Sequence, residues 1–577
     1  MKKKVFAVIL AAAMTLSLAA CGGADTSAAS SSTTTDTTAT TETTEATDTS
    51  ADTAETTEVA EATEPEGMQD GKFTETRKIS VEVYDREGAT PANDNVWTDW
   101  IKAQMLDRYN IEVEFVAVPR WTEVDQINNL LAAGDAPDIC YTYDYSTIQT
   151  YANMGGVVDL NEYLAEYKPM LTNLWDLLGD ANIYYDQDPA LGTVWCVEGL
   201  RNNTYRINTF VRQDWLDALG LAAPTTTAEF HDMLVAFKDN AETLLGADAD
   251  KMVPFEVTSD VGWTAAPLIE SFMDPAITDK EFYVNGYDDR KFTENGTKEA
   301  IRTLNGWYNE GLMWNDFAIS ETSVGEDLIK AGFVGAFCQN YDMPFRNGVD
   351  SYNAILKATY GDGAKFVSVN CFNDKNGKYS HYSYSSAGDR KSFFPATNDE
   401  ILASLLYLDF ISSQEAIQYL QTGEEGINHV VLDNGAIAIQ AVSEENVAYT
   451  QNSGNNIDLT MTCNGLRLAT PELTNQSLAY AYAEVDPADV ITAMQLADQD
   501  AIMPKAVNVG TIEAEAEATD LAGKRDETYC KSVVCAPADF DATWDAGMAD
   551  YLAAGGQAII DERTEKFEAT YSSDMID

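Results

Sequence analysis

The chain has 577 residues, with 36 Lys and Arg against 94 Asp and Glu, a formal net charge of −58. That length suffices for about three to five units with cores of ordinary size. The charge excludes sequence-independent nucleic-acid binding, which needs a basic surface to neutralise phosphates, and it opposes flat docking on an anionic leaflet.

Residues 1–21 read as an export signal. Lys2, Lys3 and Lys4 form a positive n-region, and Val5 to Leu16 an apolar stretch too short for a comfortable membrane span. The segment closes on Leu18-Ala19-Ala20-Cys21, which resembles the lipobox of bacterial lipoproteins, where the cysteine is lipidated and becomes the mature N-terminus. An ordinary signal cut after Ala20 is the alternative. Lipid on Cys21 is the expected membrane attachment, since no later run approaches 18 consecutive apolar residues.

Residues 22–72 read as an acidic, Thr/Ser-rich linker. Within 24–71 there are twelve Asp or Glu and no Lys or Arg. With few large apolar side chains the stretch cannot offset the entropy of ordering, so it is expected to be a disordered tether of about 40 Å root-mean-square reach. Residues 72–577 carry 33 basic and 82 acidic side chains, a net −49. The acidity therefore belongs mainly to the folded body.

From Lys78 the residues Ile79, Val81 and Val83 alternate with polar ones, the period of a strand. A helix follows with Trp97, Trp100, Ile101 and Met105 on one face, then a strand through Ile111, Val113 and Phe115. Val124, Ile127, Leu130 and Leu131 mark a second helix with Gly134 at its C-cap, and residues 137–141 start a third strand. This order predicts a parallel sheet with helices on its faces, binding ligands at the loops after the strands' carboxyl ends. Those loops hold Asp85, Arg86 and Glu87, and Thr142, Tyr143, Asp144 and Tyr145. Thr226 with Glu229 predicts a capping box ahead of Phe230, Met233, Leu234 and Phe237. Residues 331–338 read as a buried strand, and Asn398-Asp-Glu as the cap of a helix through Leu408.

Seven cysteines follow Cys21: Cys140, Cys196, Cys338, Cys371, Cys463, Cys530 and Cys535. No CxxC or metal-type spacing occurs. Four of them lie in apolar or aromatic runs as small hydrophobes, Cys530 and Cys535 could bridge across a turn, and many free thiols suggest a reducing habitat. Catalytic signatures are missing as well: no HExxH, GxSxG or P-loop pattern, and only His231, His381 and His429. His231 reads as a solvated helix residue and His429 as structural.

The segments LLAAGDAPDICY, MGGVVDLNEYL, FVRQDWLDALGL followed by PTTTAEF, AGFVGAF, TGEEGINH and FDATWDAGMADYLAAGG, in this order, resemble the family 1 extracellular solute-binding proteins. These are the lipoprotein receptors of carbohydrate-type ABC importers. The resemblance covers about residues 78–570. It implies an α/β, two-lobed periplasmic-binding-protein-like fold of type II, with discontinuous lobes around a hinge after the tether. Lobe one would comprise 73–200 and 393–485, and lobe two 201–392 and 486–577. It further implies a non-enzymatic monomeric receptor at the extracytoplasmic face of the membrane. Such a receptor would capture an oligosaccharide or other small solute between closing lobes and deliver it to permease subunits. A peptide-binding receptor of the same fold is the alternative, and a surface glycan hydrolase or lyase a more distant one.

Many relatives carry an Asp/Asn-rich calcium loop. The corresponding stretch here, Gly246 to Pro254, offers Asp248 and Asp250 interrupted by alanines and Lys251, short of the six to eight oxygens calcium takes. Asp374-Lys-Asn376-Gly377 is equally sparse. No metal and no cofactor are expected.

Sugar recognition combines flat apolar faces with a few convergent polar groups. The candidates are Asp85, Arg86, Tyr143, Asp144 and Tyr145 at strand ends, Trp195 and Glu198 before the first crossover, and Trp263 in a Gly-Trp-Thr stretch. By the resemblance, Glu198 takes the place of a ligand-facing Glu, and Asn340, Tyr341 and Arg346 follow a strand where relatives present an aromatic. Arg201, Arg206 and Arg212 lie within twelve residues. They read first as interlobe or helix-capping ion pairs, with a bidentate clamp for a uronate or other carboxylate on the ligand, Arg206 included, as the second reading.

Overall fold

A computed structural model describes residues 64–576 other than 87–89, 287–289, 321, 347, 386–387, 442, 444–457 and 484. The export signal, Cys21 and the linker as far as residue 63 lie outside the described residues. The linker's expected end at 72 needs correction. Met68–Gln69 and Lys72–Phe73 form an antiparallel hairpin, with Phe73 buried. The carboxylate of Glu64 accepts the backbone N–H groups of Asp70 (3.1 Å) and Gly71 (2.7 Å) in its turn.

The strand Arg77–Asp85 pairs in parallel with Ile111–Pro119 along its whole length, from Arg77 opposite Ile111 to Asp85 opposite Pro119. The helix between them, Val96–Tyr109, starts at a closed capping box. Asn95 accepts the N–H groups of Trp97 and Thr98, and the Thr98 hydroxyl accepts that of Asn95. It buries Trp97, Ile101 and Met105. The next helix, Glu123–Ala133, ends at Gly134 in the left-handed region, as the pattern predicts.

The expectation of a continued parallel sheet holds only at one point. Val81 bridges Ile139 in parallel, but the ladder goes no further. Two carboxylates take the neighbouring donors: Asp138 accepts the N–H of Ser80 (2.7 Å) and Glu82 accepts that of Tyr141 (2.9 Å). The third strand, Cys140–Thr142, instead pairs antiparallel with Lys391–Phe393, whose other edge holds Val197–Glu198.

A second sheet has the order Phe366–Val369, Ile207–Arg212, Val334–Asn340, Val253–Glu256, with only its last pair parallel. The helix Thr227–Asp239 packs on it through Phe230, Met233, Leu234 and Phe237. A Cβ at Gly335 would sit 2.7 Å from Phe237 and 2.8 Å from the Pro254 carbonyl oxygen, so the close approach needs glycine there. The capping box ahead of this helix closes one arm only. Thr226 accepts the N–H of Glu229, while the Glu229 carboxylate accepts from Thr225. The helix Ile401–Ile411 is buried almost all round, and Asn398 accepts the N–H of Glu400 just ahead of it.

Two large cores result. One gathers buried side chains from 68–197 and 394–463, the other from 207–379 and 509–567. Between them run irregular crossing segments. Leu200–Arg201 pairs in parallel with Cys463–Asn464, and the Gly199 N–H donates to the Arg390 carbonyl at 2.7 Å. All seven body cysteines are free, so Cys530 and Cys535 are not bridged; their thiols donate to the carbonyls of Ser259 and Ser532. Among the described residues no helix is long and apolar enough to cross a membrane.

Candidate ligand-binding site

Loops at the carboxyl ends of the three N-terminal strands bring Arg86, Arg120, Trp121 and Tyr143 together. The Arg120 guanidinium carbon lies 4.8 Å from the ring centre of Tyr143, 4.9 Å from Tyr84 and 5.4 Å from Trp121. Its Nη1 is anchored on buried Glu123 at 3.0 Å, and Glu123 also accepts the Thr142 hydroxyl. Arg86 also lies near Trp121, 5.8 Å from its ring centre, and grips buried Asp458 through Nε (2.6 Å) and Nη2 (3.0 Å). The Trp121 indole remains 73 % exposed.

From here an ion-pair chain runs through the crossing segments. Asp458 faces Arg390 at 3.8 Å, Arg390 faces Asp389 at 3.4 Å, and Asp389 accepts from Arg201 at 2.7 Å. The Arg201 guanidinium carbon lies over the Tyr384 ring, 4.0 Å from its centre. The Tyr384 hydroxyl donates to Asn340, and Gln339 accepts both the Asn340 N–H (2.9 Å) and the Trp263 indole N–H (2.7 Å). Trp263 stands between Arg206 and Arg290, at 5.0 and 4.9 Å. One row of aromatic rings and guanidinium groups thus links the strand ends of the first core to those of the second. Burial is the leading cause that raises the Tyr143 hydroxyl above the ordinary phenol range, with Arg390, Asp389 and Arg201 in its field.

The candidates read from the sequence separate on this geometry. Arg86, Tyr143, Trp263 and Asn340 stand on the row, and Asp85 ends its strand opposite Pro119 beside Arg86. Asp144 caps the helix Tyr145–Asn153, accepting the N–H and hydroxyl groups of Ser146 and Thr147. Tyr145 donates to the Asp186 carbonyl and packs with Trp195 on a small core around Ile127 and Ile148. Tyr341 is buried and joins Asn203 and Tyr482 through its hydroxyl. Arg346 pairs with Asp342. Each member of the arginine trio makes an ion pair, none of them between the two expected lobes: Arg212 grips Asp214, Arg201 takes Asp389, and Arg206 meets Glu270 at 2.6 Å with both side chains buried.

Glu198 is fully buried, with the Lys391 ammonium at 2.9 Å. Burial first, then the charge of Asp186, raise its carboxyl well above the usual range, against the pull of Lys391. Asp186, Cys196 and Glu198 place a ligand atom each within 4.8 Å of one another, but Lys391 already supplies this cluster with a cation. The sparse acidic loops are occupied by their own neighbours. Asp248 pairs with Lys251, and Asp374 accepts the N–H groups of Asn376 and Lys378. Of the histidines, His231 meets Glu310, and His381 and His429 face backbone carbonyls. A separate cavity of about 540 Å³ beside Phe272, Asn295 and Lys375 touches none of the row.

Sequence reasoning missed Arg120, Trp121, Arg290, Gln339 and Tyr384. Arg120 and Trp121 carried a usable signal, since they follow directly on Pro119 at a strand's carboxyl end.

Residues 91–336 match the family model described as bacterial extracellular solute-binding protein. The polygalacturonan/rhamnogalacturonan-binding protein YtcQ of Bacillus subtilis is 24% identical over 332 residues, 56% of this chain and 61% of that protein. Lipoprotein LipO of the same organism is 23% identical over 342 residues, 57% of this chain and 64% of its own. The chain thus matches less than two thirds of the length of these curated relatives. Among solved structures, the alginate-binding protein AlgQ2 superposes with a TM-score of 0.63 at 16% identity, covering 87% of this chain and all of that one. An extracellular solute-binding protein of Bifidobacterium longum subsp. infantis does so at 0.59 and 15%, covering 85% and 98%. The resemblance read from the sequence is therefore matched in fold and over part of its length: the chain has the two-lobed α/β fold of these solute-binding proteins, and its residues 91–336 match the model of the bacterial extracellular family.

Proposed function

We propose that this protein is the extracytoplasmic receptor of an ABC importer, holding an oligosaccharide or sugar-like solute between its lobes and delivering it to membrane permeases. The observation that carries the reading is the exposed Trp121 indole, flanked by Arg86 and Arg120 at strand ends, where ligands of such sheets bind. A flat apolar face beside fixed N–H donors suits a pyranose ring and its hydroxyls. The saccharide-binding names of YtcQ and AlgQ2 support the ligand class, and the name of LipO supports a lipid on Cys21.

In this reading the two cores belong to lobes 73–200 with 393–485 and 201–392 with 486–577, and the crossing segments are the hinge. Ligand contacts available from both lobes only when shut bias an open–closed equilibrium, and the shut form docks on the permeases as a monomer. No bond is made or broken.

A thermal-shift screen of the purified protein over neutral oligosaccharides, uronate oligosaccharides and peptides tests this. A ligand of the native state alone adds RT ln(1 + [L]/Kd), about 2.7 kcal/mol at 100 Kd. Stabilisation by a saccharide recovered unchanged supports the reading. Stabilisation by peptides alone favours the peptide receptor, and saccharide cleavage favours an enzyme.

A further inference from the structure

Arginine is scarce in this chain and unevenly placed. Of fourteen arginines, six (Arg86, Arg120, Arg201, Arg206, Arg290 and Arg390) lie on or join the aromatic row, in a body whose net charge is −49. Not all six can meet a ligand. Arg206 and Arg390 are buried in interior ion pairs, and Arg290 spends its Nε and Nη2 on Asp260 at 3.0 and 2.7 Å.

Arg86, Arg120 and Arg201 differ. Their side chains are 29, 22 and 20 % exposed. Each is held twice, by a protein carboxylate (Asp458, Glu123, Asp389) and by an aromatic ring (Trp121, Tyr143, Tyr384). Each keeps N–H groups without a protein hydrogen-bond partner among the described residues: Nη1 of Arg86, Nη2 of Arg120, and Nε and Nη1 of Arg201, whereas Nε of Arg120 is buried and out of a ligand's reach. A guanidinium fixed in this way loses little entropy on accepting a ligand, and its planar donors match a carboxylate better than a lone hydroxyl.

We infer that the saccharide carries carboxylate groups: the ligand is a uronate oligosaccharide whose carboxylates are read by Arg86, Arg120 and Arg201, with one ring laid on Trp121. This rests on the saccharide reading of the site. Arg86 and Arg120 flank the indole at 5.8 and 5.4 Å, so a pyranose stacked there brings its ring substituents to two guanidinium groups. The overall acidity of the body repels such a ligand at a distance, which makes local cations necessary rather than decorative.

The test titrates the full chain calorimetrically with tetramers of galacturonate, mannuronate, guluronate and glucuronate, each beside its methyl ester, and with neutral oligosaccharides. The ester keeps ring, linkage and hydroxyls and removes only the charge. At least one acid tetramer is expected to bind tenfold or more tightly than its ester, and Arg86→Lys, Arg120→Lys and Arg201→Lys to weaken the acid while sparing the ester. The ester comparison uses the unaltered protein and stands even where a variant misfolds. Esters or neutral sugars binding as tightly as every acid would overturn the inference and leave the saccharide reading intact. Binding of no saccharide at all would overturn both.

Discussion

Arg120 and Tyr143 come from loops after different strands, yet the guanidinium of one lies 4.8 Å from the ring centre of the other. The contact ties two strand ends together while Glu123, only 5 % exposed, holds the same guanidinium from below. Replacing Arg120 with Met keeps most of the packing and takes the guanidinium away from the buried Glu123 carboxylate. Urea unfolding is expected to show a loss of about 2–3 kcal/mol, discounted from the usual cost of breaking a buried pair because Arg120 is partly exposed. Tyr143→Phe keeps the ring, so its loss should stay under about 1 kcal/mol. Equal losses in both variants would mean that the hydroxyl, and not the ring, holds the arginine.

Trp121 is the opposite case, a large side chain that the fold does not need. With 73 % of it exposed, Trp121→Ala should change stability by no more than about 0.5 kcal/mol. Affinity for the best saccharide of the screen should fall tenfold or more, which is about 1.4 kcal/mol. Calorimetry and a melting curve on the same sample separate the two effects. Unchanged affinity would remove Trp121 from the site.

Much of the first core was legible because its signals are local. Ile79, Val81 and Val83 alternate, Trp97, Ile101 and Met105 share a helix face, and Gly134 ends a helix in a way few other residues can. The pairing of Cys140–Thr142 was not legible. It depends on Asp138 and Glu82 side chains intercepting ladder donors and on a partner strand, Lys391–Phe393, far along the chain. The hairpin at residues 68–73 hid in a polar stretch because its turn is held by Glu64 rather than by a hydrophobic pattern. At the row, the strand-end rule points to Arg86 and Tyr143, and it points equally to the loop after Pro119 that holds Arg120 and Trp121. Asp144, followed by Ser146 and Thr147, carries a local N-cap pattern that competes with any ligand role. Tyr384 and Arg290 lie in irregular segments where no periodicity marks them.

Glu256, at the carboxyl end of its strand, is buried beside Thr258, Thr264, Glu326, Cys338, Gln339 and Tyr352. Burial, then the charge of Glu326, pushes its carboxyl up to about 8. The folded state therefore holds a proton that the unfolded chain releases near its ordinary value of 4.5. The resulting stabilisation is complete below that value, declines as pH rises, and is gone above about 8. Glu256→Gln should flatten this decline, matching the parent protein at pH 4 and exceeding its stability at pH 9 by a few kcal/mol. Parallel melting curves for the two proteins across that range would refute the assignment.

The body thiols make a simpler case. Burial pushes Cys338 and Cys463 up to about 12, and Cys140, Cys196 and Cys371 well above the usual thiol range. In a Cys21→Ser variant, a thiol reagent at pH 8 should react with these five only as the protein unfolds, and should count seven thiols in denaturant. Two fewer would reveal a disulfide.

Arg206 and Glu270 share one buried bond of 2.6 Å, with 4 and 1 % of their side chains exposed. The pair also organises its surroundings: Glu270 accepts the N–H of Tyr382 through its other oxygen, and Arg206 lies 5.0 Å from the centre of Trp263. Removing the carboxylate takes away the buried ion pair that Glu270 makes with this guanidinium. Glu270→Ala should cost about 3–5 kcal/mol in chemical denaturation, and Glu270→Gln less, because the amide oxygen still accepts one of the two bonds. Because Arg206 flanks Trp263, the Ala variant should also weaken saccharide binding, whereas Arg212→Lys, on a pair remote from the row, should destabilise without doing so. If Glu270→Ala lowered stability yet bound saccharide as the parent protein does, Trp263 would be part of the scaffold and the ligand would end at Tyr384.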